Sequence, residues 1–182
     1  MHLKVSGIIL VVFSIHIPPN YVSDEFKQTY EDLSNQINLL KGDRRKYMIL
    51  LGDFNGHIGS DLVLSVTRKY VGNNLYHEST NSSGEMLLNF ATQHELYLST
   101  TFGRNSAKVT QRMGSNFSQL DHILVTSCMN LNGIKASFLS SIISDHKVVW
   151  GHLTFLPSIP NSSNSCALTS DVNNNKNKKR TT

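Results

Sequence analysis

The sequence predicts an α/β layered sandwich, and three features predict it. A short apolar run, Tyr47 to Leu51, is closed by Gly52 and reads as a strand buried on both faces. An amphipathic helix over residues 23–41 stands before it, and an apolar run over residues 7–15 stands before the helix, giving strand, helix, strand. A second helix and a string of short strand-like segments follow, and 182 residues are enough for one domain with a real core.

Gly7 to Ile15 follows His2 and Lys4 and has the look of a weak signal peptide. It lacks a small-residue cleavage site, ends in Ile17-Pro18-Pro19 and is too short to span a bilayer, so it reads as a buried strand closed by a proline turn. In the helix, Ser23 or Asp24 can cap the first turn, and Phe26, Tyr30, Leu33, Ile37 and Leu40 form one apolar stripe that reads as core. Lys41 to Lys46 is a charged, solvated turn into the organising strand. Residues 56–83 are a polar, loop-rich crossover in which His57 reads as a solvent-facing loop histidine. The second helix covers about 84–94 with Ser83 as cap, carrying Leu87, Phe90, Ala91 and His94 on one side. Leu96 to Phe102, Lys108 to Met113, Gln119 to Val125, Ile134 to Leu139 and Lys147 to Phe155 read as strands.

The net charge of +4 divides unevenly: the tail 157–182 holds Lys176, Lys178, Lys179 and Arg180 against Asp171, leaving the body near +1. The body's charge therefore says little about partners. That tail lacks hydrophobic periodicity and is expected to be a disordered basic terminus after a domain over residues 1–156. Two cysteines, Cys128 and Cys166, make no disulfide framework, which points to a reducing intracellular setting, nuclear or cytoplasmic, and not to secretion. The glycosylation sequons at Asn81, Asn116 and Asn161 are expected by chance in a chain so rich in Asn and Ser. No membrane association and no stable protein partner are expected.

The candidate chemistry lies at strand ends. Asp53 and Asn55 follow Gly52 and, two apart on an extended chain, project to the same side, although Gly-Asp is also an ordinary turn after a strand. Far down the chain Asp121 sits between apolar neighbours in Gln-Leu-Asp-His-Ile-Leu-Val, and Ser144-Asp145-His146 directly precedes a strand. An acid, an amide and an Asp–His pair converging from different strand ends suit phosphodiester hydrolysis, which needs an activated water and stabilisation of charge on phosphoryl oxygens.

These three segments, Gly-Asp-Phe-Asn, Gln-Leu-Asp-His-Ile and Ser-Asp-His, resemble in order the signature of the endonuclease/exonuclease/phosphatase superfamily, the deoxyribonuclease-I-like phosphodiesterases. The likeness covers roughly residues 3–156. It implies a two-sheet α/β sandwich, here incomplete at the N-terminus, where the family's first strands carry an Asn and a metal-ligating Glu. It also implies roles. Asp53 would orient and deprotonate water; Asn55 would hold that water or the phosphate; His146 would donate to a phosphate oxygen, with Asp121 fixing its tautomer. Asp145 and Asp53 would lie at a divalent metal, Mg²⁺ or Mn²⁺. His16 stands where the family has a phosphate-binding tyrosine, and reads equally as a strand-end polar residue. The segments look most like the endonuclease domains of non-LTR retrotransposons and their craniofacial-development-protein-2-like descendants. The implied activity is DNA endonuclease, with inactivity expected if the Glu is absent; the alternatives are a non-catalytic remnant binding nucleic acid or a partner, and a phosphatase or sphingomyelinase-like member.

Overall fold

The structure, a computed structural model, describes residues 1–5, 8–41, 46–62, 67–103, 107–126, 129–138 and 143–155. The expected basic tail at 157–182, Cys128, Cys166, the Asn161 sequon and positions 42–45 of the charged turn lie outside the described residues.

Strand β1 (His2–Val5) pairs antiparallel with β2 (Ile8–His16), so the first apolar run is one arm of a hairpin whose other arm is too short and polar to stand out in the sequence. Helix α1 (Asp24–Leu40) then crosses to β3 (Lys46–Asp53), which lies parallel to β2 from Ile9↔Lys46 to His16↔Asp53. A parallel pair needs such a crossover, and the helix supplies it. Ser23 caps α1 by accepting from the Phe26 amide at 3.1 Å. The expected stripe is buried at Phe26, Tyr30 and Ile37 and half-buried at Leu33 and Leu40. Each fully buried side chain of this size contributes about 1.5–3 kcal/mol.

Helix α2 (Ser82–His94) starts earlier than its periodicity suggests. The cap is Asn81, whose side-chain oxygen accepts from the Gly84 and His57 amides, while Ser83 is buried in the first turn. A cap of this kind stabilises by about 1 kcal/mol. Tyr30 packs edge-on against Phe26 and Phe90, with ring centroids 5.2 Å apart in both pairs, joining the two helices in one core.

The segment expected as a strand over 96–102 splits into β4 (Leu96–Leu98) and a 3₁₀ turn, Ser99–Thr101. Threonine hydroxyls cause the break: Thr101 Oγ1 donates to the Leu98 carbonyl at 2.6 Å and accepts from the Gly72 amide at 2.8 Å, an alternative to ladder pairing. Likewise only the end of 108–113 is strand, β5 (Gln111–Met113), in a hairpin with β6 (Asn116–Ser118). Strand β7 (Asp121–Thr126) lies antiparallel to β3 and to β4, completing a five-stranded sheet ordered β1-β2-β3-β7-β4. Strands β8 (Met129–Ser137) and β9 (Val148–Phe155) form a separate antiparallel ribbon with an irregularity between Asn132 and Lys135. Val149 and Leu153 of β9 pack against the main core, so the ribbon is the second layer of the sandwich. No helix among the described residues is long and apolar enough to cross a membrane.

Candidate active site and metal centre

Three strands carry polar residues to one line across the sheet. The register pairs His16 with Asp53 and Asp53 with Asp121. Paired residues on neighbouring strands share a face, so the two carboxylates stand directly opposite each other. Two like charges so placed repel, and the arrangement calls for a cation between or beside them.

His146 is that cation's first candidate. Its Nδ1 lies 3.0 and 3.2 Å from the two Asp121 carboxylate oxygens, donating to them, and its Nε2 lies 3.8 Å from Asp53 Oδ2. The His146 side chain is 28% exposed against 16% for Asp53 and 15% for Asp121, so the site opens on the imidazole side. Burial raises the Asp121 carboxyl above its usual range and the Asp53 charge adds to this, while hydrogen bonds with Thr110 and His146 oppose it. For His146, burial works toward a lower value, but the hydrogen bond to Asp121 and the charges of Asp121, Asp53 and Asp145 prevail and hold the imidazole above its ordinary value. The two shifts have different causes: burial of the carboxylate raises Asp121, and the carboxylates around the ring raise His146.

The hairpin β5–β6 positions these groups. The fully buried Thr110 hydroxyl accepts from the Leu120 and Asp121 amides at 2.9 and 3.0 Å, holding the start of β7. Gln111 bridges His146 antiparallel, the Arg112 amide donates to the Asp145 carbonyl at 2.8 Å, and the Lys147 amide donates to the Thr110 carbonyl at 2.7 Å. Ser144 Oγ accepts from the His146 amide at 3.0 Å. Neither Thr110 nor Gln111 stood out as a site residue in the sequence, because nothing local marks a short edge strand as the support of a histidine 35 positions on.

The remaining candidates sit nearby in different ways. Asn55 does not extend beside Asp53: β3 ends at Asp53, and Asn55 takes a left-handed backbone, φ 46°. Asp53 Oδ1 accepts the Asn55 amide at 2.9 Å, which forms the turn, and the Asn55 carboxamide donates to the Ile17 carbonyl at 2.8 Å. Asp145 is exposed, and its carboxylate accepts from Gln111 Nε2 at 2.9 Å. His16 is exposed at the end of β2, level with Asp53.

Asp53, Asp121 and His146 each offer one ligand atom, all within 4.8 Å of one another, and among the described residues they are the one group of His, Cys, Asp or Glu that could hold a metal ion. The donor set fits a divalent cation: two carboxylate oxygens suit Mg²⁺ or Mn²⁺, and the imidazole nitrogen is better accommodated by Mn²⁺.

His57, expected to face solvent, is half-buried and stacked on His77 with ring centroids 3.9 Å apart and planes 10° from parallel. His77 Nε2 accepts from the Gln119 amide at 3.2 Å, and burial, then the neighbouring His57, lowers its pKa to about 4. His122 is fully buried, shares a hydrogen bond between Nδ1 and Thr100 Oγ1 at 2.8 Å, and is lowered to about 4, first by burial and then by His77. Both imidazoles titrate below their unfolded value of about 6.5, so the unfolded chain takes up protons that the native state refuses. Their contribution to stability is complete above pH ~6.5 and is lost as pH falls toward about 4. Urea denaturation across this range is expected to show a drop in stability on acidification, with a shallower slope in His122→Leu; parallel slopes would contradict it.

No protein-family model matches the chain, and no curated protein sequence does. Solved structures do. An endonuclease/exonuclease/phosphatase family protein from Leptotrichia buccalis C-1013-b superposes with a TM-score of 0.58 at 16% identity, over 85% of this chain and 51% of its own. The 3′ phosphatase NExo from Neisseria, bound to a product DNA hairpin, gives 0.57 at 20% identity, over 85% and 64%. The endonuclease domain of TRAS1, a telomere-specific non-LTR retrotransposon, gives 0.50 at 16% identity, over 81% and 59%. The chain thus spans between half and two thirds of the length of these structures. Over that length, with the Asp–Asp–His trio at converging strand ends, it has the deoxyribonuclease-I-like α/β fold of the endonuclease/exonuclease/phosphatase superfamily.

Proposed function

We propose that this protein is a metal-dependent phosphodiester hydrolase whose substrate is DNA, an endonuclease of the retrotransposon type working in an intracellular, nuclear or cytoplasmic setting. The observation that carries the reading is the line Asp121–His146–Asp53, in which one carboxylate holds the imidazole at Nδ1 and the other faces its outer nitrogen. Asp121 accepts from Nδ1 and supports positive charge on the ring, leaving Nε2 to donate to a non-bridging phosphate oxygen. Asp53 accepts a proton from the attacking water as its oxygen bonds to phosphorus and the bond to the leaving oxygen breaks. Asn55 fixes the turn that aims Asp53. With His146 protonated, the carboxylates of Asp53 and Asp121 would be the groups left to hold a divalent cation, which would supply further neutralisation of phosphoryl charge.

DNA is favoured by the hairpin next to the site. Its exposed Arg112 guanidinium lies over the Phe117 ring, 5.5 Å from the centroid, a cation and an aromatic face on the strand pair that also holds His146. Two of the structural neighbours support the reading: one is a retrotransposon endonuclease domain, and another is bound to a product DNA hairpin. Because NExo is described as a 3′ phosphatase, removal of a terminal phosphate is the second reading.

Supercoiled plasmid incubated with the purified protein and Mn²⁺ or Mg²⁺ is expected to be nicked, and excess chelator to stop the reaction. Release of phosphate from 3′-phosphorylated DNA with the plasmid left intact would favour the phosphatase. Binding of DNA with turnover of neither substrate would identify a non-catalytic form.

A further inference from the structure

Gln111 holds a donor nitrogen beside the outer nitrogen of His146. Its carboxamide nitrogen lies 3.2 Å from His146 Nε2 and donates to Asp145 Oδ2 at 2.9 Å. The backbone fixes this proximity: Gln111 bridges His146 antiparallel, and hydrogen bonds from the Arg112 and Lys147 amides tie the two segments together on either side. Asp145 fixes which end of the carboxamide turns inward, because an amide oxygen in that place would stand 2.9 Å from a carboxylate oxygen. The nitrogen carries two hydrogens, and Asp145 takes one of them.

In the reading given above, Nε2 carries a hydrogen for a phosphate oxygen, so the Gln111 nitrogen and Nε2 are two donors side by side. An acceptor common to both satisfies them: a single oxygen can lie about 2.9 Å from each of two nitrogens 3.2 Å apart. Asp53 Oδ2, 3.8 Å from Nε2, is beyond hydrogen-bond reach and stays for the attacking water. We propose that Gln111 is a second substrate-binding donor, giving its remaining hydrogen to the same non-bridging phosphate oxygen that accepts from His146. The proposal rests on the hydrolase reading. Two donors converging on one oxygen orient the phosphate before Asp53, and a donor aimed where negative charge grows is worth more in the transition state than in the ground state.

The test compares the full wild-type chain with Gln111→Leu, which keeps the bulk without a donor, and Gln111→Glu, which keeps the shape but offers acceptors in place of the donor. For nicking of supercoiled plasmid, kcat/KM is expected to fall about 10- to 100-fold in Gln111→Leu, the worth of a hydrogen bond to a charged group, and further in Gln111→Glu, where a carboxylate repels the phosphate. Urea midpoints report whether the variants fold, and a second measurement needs no variant: inorganic phosphate titrated into the ¹⁵N-labelled wild type without metal is expected to shift the Gln111 side-chain amide and the His146 ring resonances together, with one apparent Kd. Nicking by both variants within about twofold of the wild type, or a His146 shift with the Gln111 amide left in place, overturns the proposal while the hydrolase reading stands. A wild type that shifts at both residues but cleaves nothing supports the two-donor phosphate site and overturns the hydrolase reading. A wild type that neither cleaves DNA nor shifts at either residue overturns both.

Discussion

Replacing Gly52 by alanine is expected to unfold the protein or to destabilise it by about 3–5 kcal/mol, a large part of the roughly 5–15 kcal/mol that holds a domain together. Gly52 sits inside β3 at φ +146°, a backbone conformation that L side chains rarely adopt. A Cβ there would lie 1.8 Å from the Ile15 carbonyl oxygen and 2.8 Å from its carbon. The obstacle is backbone of the paired strand and not the tip of a flexible side chain, so relief requires β2 and β3 to part where Ile15 and Gly52 are in register. Parting them strains the 2.9 Å hydrogen bond from the Ile17 amide to the Asp53 carbonyl and shifts Asp53 itself. The strand end that carries the carboxylate is thus held by the absence of one side chain. Urea denaturation measures the effect, and a loss under about 1 kcal/mol would mean that the two strands separate more easily than their pairing implies.

The second large effect is catalytic. Asp121→Asn should reduce DNA nicking by roughly 10²–10⁴-fold while leaving the urea midpoint nearly unchanged. Stability is spared because the change removes a carboxylate that stands opposite Asp53 and is raised by burial, so like-charge repulsion and desolvation cost disappear with the lost hydrogen bond. Activity suffers because an asparagine no longer supports a proton on the ring. The sign of the pH effect follows. Asp121 is a principal cause of the raised His146 pKa, so in the variant that pKa falls. If His146 donates as an imidazolium, the limb on which activity declines at high pH moves to lower pH. A variant with wild-type nicking, or with an unmoved pH profile, would remove Asp121 and His146 from the chemistry.

Much of the frame was legible in the residues. The spacing of Phe26, Tyr30 and Ile37 marked α1 and its buried face, since a helical period can be satisfied by local geometry alone. The run Tyr47 to Leu51 marked the central strand, and Asp53, Asp121 and His146 were each visible as polar residues at the end of an apolar segment. Less was legible where side chains compete with the ladder. The Thr101 hydroxyl, bonded to local backbone, turned an apparent strand into a 3₁₀ turn, and Asn81 took the cap expected of Ser83. Asn55 was misplaced for the same reason: an Asp side chain accepting the amide two residues on bends a chain that its spacing suggested was extended.

The sequence by itself determined which segments are buried and which strand ends carry acid, amide and imidazole, because period and polarity are properties of neighbouring residues. Only the tertiary structure decided that Asp53 faces Asp121, that His146 stands between them, and that Gln111 lies against its outer nitrogen. Those contacts depend on strand register and on backbone hydrogen bonds between β5 and residues 145–147, which are indifferent to side-chain identity and are set by how the whole core packs.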